Sequence, residues 1–253
     1  IYVNGAVTFN KNLDRSLTDA QGNRTNVTVE QKGISAWGYT LGMMIKPTEN
    51  LNIGFNYRSK VIVKAENGDA DFQNVSTSLP NNLADGNFNA ELPLPAEITL
   101  GISYKFYKKF LFAFDYNFAQ WSEYEALVVE FDNDANISTS PRDYQDSETF
   151  RFGLQYDASK KITVRTGIYF DGSPVQDGYF APETPRNDST GYTAGLSYKI
   201  NDKLSIDASF LYLHFKEIKN SYDYYQENGA NVPFEGIYKS SVIAPGLGLS
   251  YKL

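Results

Sequence analysis

Apolar and polar residues alternate with a period of two through most of this 253-residue chain. Successive side chains of a β-strand point to opposite faces, so such runs build two-faced strands and cannot give a helix its single apolar stripe. Over 95–107, Ile98, Leu100, Ile102, Tyr104 and Phe106 share one face, opposite Thr99, Gly101, Ser103 and Lys105. Over 148–157, Phe150, Phe152, Leu154 and Tyr156 oppose Arg151, Gly153 and Gln155. Similar runs occupy 1–10, 34–46, 51–64, 110–122, 161–171, 190–201, 203–216 and the last residues from 246. About ten strands are predicted, each near the roughly 9–11 residues that a tilted strand needs to cross a bilayer.

The connections alternate too. Those at 46–50, 105–109, 157–161 and 201–203 are tight, while 13–30, 66–94, 133–147, 172–190 and 217–238 are long and rich in Asn, Asp, Ser and Gly. Soluble β-sandwiches also have alternating strands, but they mix their loop lengths. Strict short–long alternation belongs to outer-membrane barrels, with short periplasmic turns and long extracellular loops. Tyr104, Tyr156 and Tyr198 stand just before tight turns and Tyr251 just before the chain end, at one height, as an interfacial aromatic girdle requires. The predicted fold is therefore an all-β transmembrane antiparallel barrel in the bacterial outer membrane. One domain covers 1–253, and the C-terminus lies on the periplasmic side.

Composition excludes several alternatives. No run of about 18 apolar residues is present, so a membrane crossing requires a closed barrel. The net charge of −7 disfavours a nucleic-acid partner. The absence of cysteine excludes disulfides and thiolate-held metal, and a single histidine, His214, disfavours a histidine metal site or a Ser/His/Asp triad. We expect no cofactor, no metal and no enzymatic activity. The chain opens on a strand-like run without a signal peptide, and it reads as a mature chain lacking its N-terminal part.

Three stretches carry a family resemblance. The first runs from Leu94 and Pro95 through Glu97, Leu100 and Gly101 to Tyr104, then on to Asp115-Tyr116-Asn117 and Trp121-Ser122. The second is Arg165-Thr166-Gly167 through Phe170-Asp171-Gly172 to Ser173-Pro174-Val175. The third is Gly191-Tyr192-Thr193-Ala194-Gly195-Leu196-Ser197-Tyr198, followed by a tight turn and Leu204-Ser205-Ile206-Asp207-Ala208. In order and spacing they resemble the FadL family of outer-membrane transporters for long-chain fatty acids and other hydrophobic compounds, closely from residue 90 onward and loosely before it. One departure is the loop ahead of Gly191, which reads Pro185-Arg186-Asn187-Asp188-Ser189 where family members often carry Pro-Asp-x-Asp-Arg. The resemblance implies a fourteen-stranded barrel plugged by an N-terminal hatch, of which this chain supplies about ten strands. It implies passive, gated uptake of hydrophobic compounds such as fatty acids or aromatic hydrocarbons. The implied surroundings are lipid bilayer, lipopolysaccharide and other outer-membrane proteins.

If the aromatic face meets lipid, the opposite face lines the lumen and carries the candidate ligand-binding residues Trp121, Arg151, Arg165, Leu211, Leu213 and Phe215. Arg151 and Arg165 could meet a fatty-acid carboxylate. The favoured reading is instead that they join Asp115 and Asp207 in an ion-paired network that stiffens the barrel, since charges in a low-dielectric lumen are usually paired. The lumen phase of 203–216 turns from Ser205, Asp207 and Ser209 to Leu211, Leu213 and Phe215. That apolar patch could line an entry groove or pack against folded loops or the hatch. Trp121 could stack on ligand or join an outer girdle after a β-bulge. A second functional reading remains beside transport: a scaffold or docking subunit in an outer-membrane secretion or surface-assembly complex.

Overall fold

The computed structural model describes residues 2–13, 17–75, 84–132, 137–182 and 186–252. Along them lie β1 (Tyr2–Asn12), β2 (Asn26–Trp37), β3 (Thr40–Ile45), β4 (Leu51–Arg58), β5 (Val61–Gln73), β6 (Gly86–Leu94), β7 (Glu97–Phe106) and β8 (Phe110–Ala119). There follow β9 (Ala126–Phe131), β10 (Ile137–Pro141), β11 (Ser147–Asp157), β12 (Ile162–Asp171), β13 (Ser189–Lys199), β14 (Leu204–Phe215), β15 (Ile218–Glu227), β16 (Ala230–Tyr238) and β17 (Ser241–Tyr251). The helical element among them is one 3-10 turn, Trp121–Glu123.

Nine strands form an antiparallel meander in the order β3-β4-β7-β8-β11-β12-β13-β14-β17. Tight turns join β3 to β4, β7 to β8, β11 to β12 and β13 to β14 at one end, and the other connections leave from the opposite end. Among the described residues β3 and β17 each pair on one side only, so the sheet is an open wall rather than a closed barrel. Nine of the ten predicted strands reach it, but 34–46 begins in β2 and 51–64 ends in β5, both of which belong to a second sheet. The tenth, 1–10, is β1, which instead pairs with β2 in that second sheet.

That second sheet is what the long connections build. It runs β1-β2-β5-β6-β9-β10, and β15 pairs with β16 in a separate hairpin. The chain passes between sheets at short breaks. At one of them Tyr39 donates its N–H to the Ser59 Oγ at 3.0 Å, and Ser59 returns its N–H to the Tyr39 carbonyl at 2.9 Å. Gly38 is required there, because a β-carbon would stand 2.5 Å from the Val61 side chain.

The two sheets differ in where their apolar side chains go. The buried cluster of Val27, Val29, Ile34, Ala65, Ala70, Phe72 and Phe88 lies in the second sheet. On the wall the large apolar residues stand outward and exposed, among them Leu100, Phe152, Val164, Leu196, Phe210 and Leu247. They are aligned across the strands: Ile102 faces Phe114, Phe114 faces Phe152, and Phe152 faces Ile168. Cross-strand pairs of this kind contribute roughly 0.2–1 kcal/mol each. Ring pairs such as Phe114–Phe152 (centroids 5.0 Å) and Tyr116–Phe150 (5.2 Å) add to them. An apolar face this continuous exceeds what a water-facing monomer carries and matches the lipid-facing band of a transmembrane barrel.

Candidate functional site

The inward face of the wall is the candidate site, and register fixes its geometry. Arg151 faces Tyr169 on β12, Tyr169 faces Gly191 on β13, and Gly191 faces Leu213 on β14. Three strand steps at roughly 4.8 Å place the Arg151 and Leu213 backbones about 14 Å apart on one transverse row. The next row toward the tight turns holds Gly153, Gly167, Thr193 and Leu211. Phe215 faces Ser189 on the row toward the other end. Arg151, Leu211, Leu213 and Phe215 therefore share one stretch of the inward face, as their phase predicts.

Glycines on this face let neighbouring side chains lean. The Cδ1–Cε1–Cζ edge of the Tyr169 ring covers Gly191, where a β-carbon would overlap it. The ring thus reaches toward Leu213. Asp115 faces Arg151 across the ladder, yet its carboxylate leans the other way, over Gly101, where a β-carbon would stand 2.6 Å from Oδ1. Among the described residues Arg151 makes no hydrogen bond and no ion pair.

The expected network of Asp115, Arg151, Arg165 and Asp207 does not form among the described residues. Asp115 has turned away from Arg151. Arg165 lies two strands from Asp207, too far for direct pairing, and a relay links them. The Arg165 guanidinium donates to the Gln155 amide oxygen at 2.8 Å and to the Ser197 Oγ at 2.6 Å. Ser197 in turn donates to the Asp207 carboxylate. Gln155 and Thr163 both donate to Asp157, at 3.1 and 3.0 Å. Arg165 thus belongs to a satisfied polar cluster toward the tight turns, apart from the Arg151 row.

Trp121 leaves the wall. β8 ends at Ala119, Gln120 breaks the extended backbone, and Trp121 starts the 3-10 turn. Its lumen phase is lost there, and its ring meets Tyr144 edge-on at 6.1 Å. It belongs to a cap of three knitted connections. Gln145 donates its N–H to the Pro174 carbonyl at 2.8 Å, Phe180 to Ser221 at 2.9 Å and Asp223 to Gly178 at 2.9 Å. Tyr222 anchors this cap, buried, with its hydroxyl on the Pro141 carbonyl at 3.1 Å. The Arg142 guanidinium sits over its ring at 5.4 Å.

Tyr169, Gly191 and Ser197 are residues of this face that the predicted site left out. Continuing the phase of Arg165 and Gly167 by one step would have found Tyr169; the lean over Gly191 needs cross-strand register. At the end opposite the tight turns, a cleft of about 910 Å³ opens beside Phe118, Phe150, Phe170 and His214. None of the six predicted site residues lines it. Among the described residues no group of histidine, cysteine or carboxylate side chains is arranged to hold a metal.

The comparisons with known proteins agree with this architecture. The family described as "Outer membrane protein transport protein (OMPP1/FadL/TodX)" matches residues 2–253. The chain is similar to outer membrane protein P1 of Haemophilus influenzae, with 27% identity over 89% of this chain and 49% of the relative. It is also similar to the long-chain fatty acid transport protein of an Escherichia coli O6:H1 strain, with 24% identity over 72% of this chain and 43% of the relative. In three dimensions it resembles a Pseudomonas aeruginosa FadL homologue, with a TM-score of 0.79 at 18% identity, over 97% of this chain and 61% of that one. The chain spans about half the length, or less, of the curated relatives it matches.

Proposed function

The chain belongs to the OMPP1/FadL/TodX family of outer membrane transport proteins, a family of transport channels and not of enzymes, and from that premise we propose a function for it. Residues 1–253 belong to the single barrel domain of an outer-membrane channel for passive, gated uptake of hydrophobic compounds, and the nine-stranded sheet is part of its wall. Long-chain fatty acids are the first substrates to test. The tight turns and the end of β17 face the periplasm, and the long connections face outward.

One observation carries the substrate reading. A single inward row runs from the Arg151 guanidinium, which makes no hydrogen bond or ion pair among the described residues, through the Tyr169 ring to Leu213. A molecule with an anionic head and an apolar tail has that same polarity along its length. Leu211, one row away, and Phe215, on the other side, widen the apolar end. Arg165 is occupied by its own cluster and serves the wall.

The test uses the full-length protein in cells lacking their own fatty-acid carriers. Uptake of radiolabelled palmitate should depend on the protein and saturate. Replacing Arg151 by Gln should weaken binding of the carboxylate by roughly ten- to a hundredfold, the loss expected of one charge-assisted hydrogen bond. Binding of an uncharged aromatic hydrocarbon should stay unchanged. Absence of saturable binding across chain lengths, for acids and hydrocarbons alike, would sink the proposal.

A further inference from the structure

The four tight turns and the end of β17 make one continuous rim. Backbone bonds of 2.8 Å join them in sequence: Lys105 N–H to the Asn50 carbonyl, Asp157 to Lys109, Lys199 to Lys161, and Lys252 to Lys203. Segments 46–50, 105–109, 157–161 and 199–203, with Lys252, carry nine lysines against three carboxylates, Glu49, Asp157 and Asp202. The rim is therefore +6 in a chain whose total is −7, which leaves −13 for everything else.

These lysines are exposed, and none joins an ion pair among the described residues. The ion pairs that do form lie toward the opposite end or in the second sheet, as Arg58–Glu97, Lys64–Glu91, Arg186–Asp171 and Lys219–Glu235 do. The rim also sets like charges side by side, Lys161 beside Lys199 and Lys203 beside Lys252. Like charges on directly neighbouring strands destabilise a sheet unless an anion lies between them. On the outward face the exposed Tyr104, Tyr156, Tyr198 and Tyr251 stand within a few residues of these lysines, at the height of a water–lipid boundary.

We propose that this rim is a collar for anionic phospholipid headgroups of the phosphatidylglycerol type, in the leaflet that meets the tight turns. Each lysine near an anionic leaflet gains from its surface potential within a Debye length. The rim segments contain no arginine, and a mobile point charge suits a headgroup that exchanges. The −13 elsewhere is repelled by the same surface, so the two ends together favour one orientation.

The experiment is native mass spectrometry of the full-length protein in detergent, titrated with phosphatidylglycerol and phosphatidylethanolamine of matched acyl chains. The wild type should prefer phosphatidylglycerol by about tenfold. Combining Lys161→Gln, Lys199→Gln, Lys203→Gln and Lys252→Gln should bring the preference near unity, and four Lys→Arg changes at the same positions should restore it. The same number of Gln changes at Lys32, Lys64, Lys219 and Lys239 should leave it intact. If the rim variant does not fold, the wild type decides: its preference should collapse as ionic strength rises well past ~0.15 M. Equal binding of both lipids by the wild type, or stronger binding of lipopolysaccharide than of phosphatidylglycerol, would overturn the proposal. Because the readout is lipid occupancy, either result leaves the uptake proposal to its own test.

Discussion

Tyr169 lies across Gly191 on the neighbouring strand, its ring edge occupying the space where any other residue would carry a β-carbon. The pair closes the gap between Arg151 and Leu213 on the inward face. Gly191→Ala should force the ring off its seat and cost about 1–3 kcal/mol, the usual range for overpacking. Urea unfolding of the full-length protein in vesicles would measure it. Adding Tyr169→Ala to the glycine variant should recover part of that loss, whereas strain confined to the backbone would leave the double variant no better.

Ser197 is the middle of the relay from Arg165 to Asp207, and it is buried. Ser197→Ala should remove both links at once and cost about 1–3 kcal/mol, because two charged groups lose a hydrogen-bond partner together. In a double-mutant cycle with Asp207→Ala the effects should be non-additive by about 0.5 kcal/mol or more. Additive losses would mean that the relay is not one unit.

The strands of the wall were legible because period-two alternation and turn length are local properties of the chain. Segments such as 110–122 and 190–201 needed no knowledge of their neighbours. The second sheet was not legible beyond β1, and its bulges explain why. Between Ala65 and Gly68 the register of β5 shifts against β6, and between Gly5 and Val7 that of β1 shifts against β2. Each shift turns the alternation to the other face, so a polar strand reads as loop. The same locality governs the site. Phase alone brought Leu211, Leu213, Phe215 and Arg151 to one face, but it could not show which way Asp115 leans, nor that Gln120 turns Trp121 off the wall. Part of the girdle was legible as well: Tyr104, Tyr156, Tyr198 and Tyr251 stand exposed at the rim, and Phe110 stacks on Tyr156 at 4.6 Å.

Tyr179 lies in the cap, outside the wall, and its phenol is pushed up to about 12, first by its hydrogen bond with Tyr224 and then by partial burial. A raised folded-state value means that the neutral phenol is favoured in the folded cap. Its stabilising contribution is complete below the ordinary tyrosine value near 10 and is lost as pH rises through about 12. Absorbance at 295 nm, taken as the difference between wild type and Tyr179→Phe, should show one phenol titrating late. Tyr224→Phe should move that titration down toward 10, and an unchanged midpoint would remove Tyr224 as the cause.

Leu213 sits at the apolar end of the row that begins at Arg151, with Leu211 one row away, so its replacement separates tail recognition from head recognition. Leu213→Asn keeps the branched shape of the side chain and puts an amide where a tail would lie. It should weaken binding of long acyl chains by about ten- to a hundredfold, in line with the roughly 1.5–3 kcal/mol of fully burying one such side chain. The loss should shrink as the chain is shortened, because a short tail held at Arg151 does not reach β14. Arg151→Gln should behave in the opposite sense, with a penalty independent of chain length. A Leu213→Asn penalty that is equal for short and long acids would mean that the leucine shapes the wall and does not meet the tail.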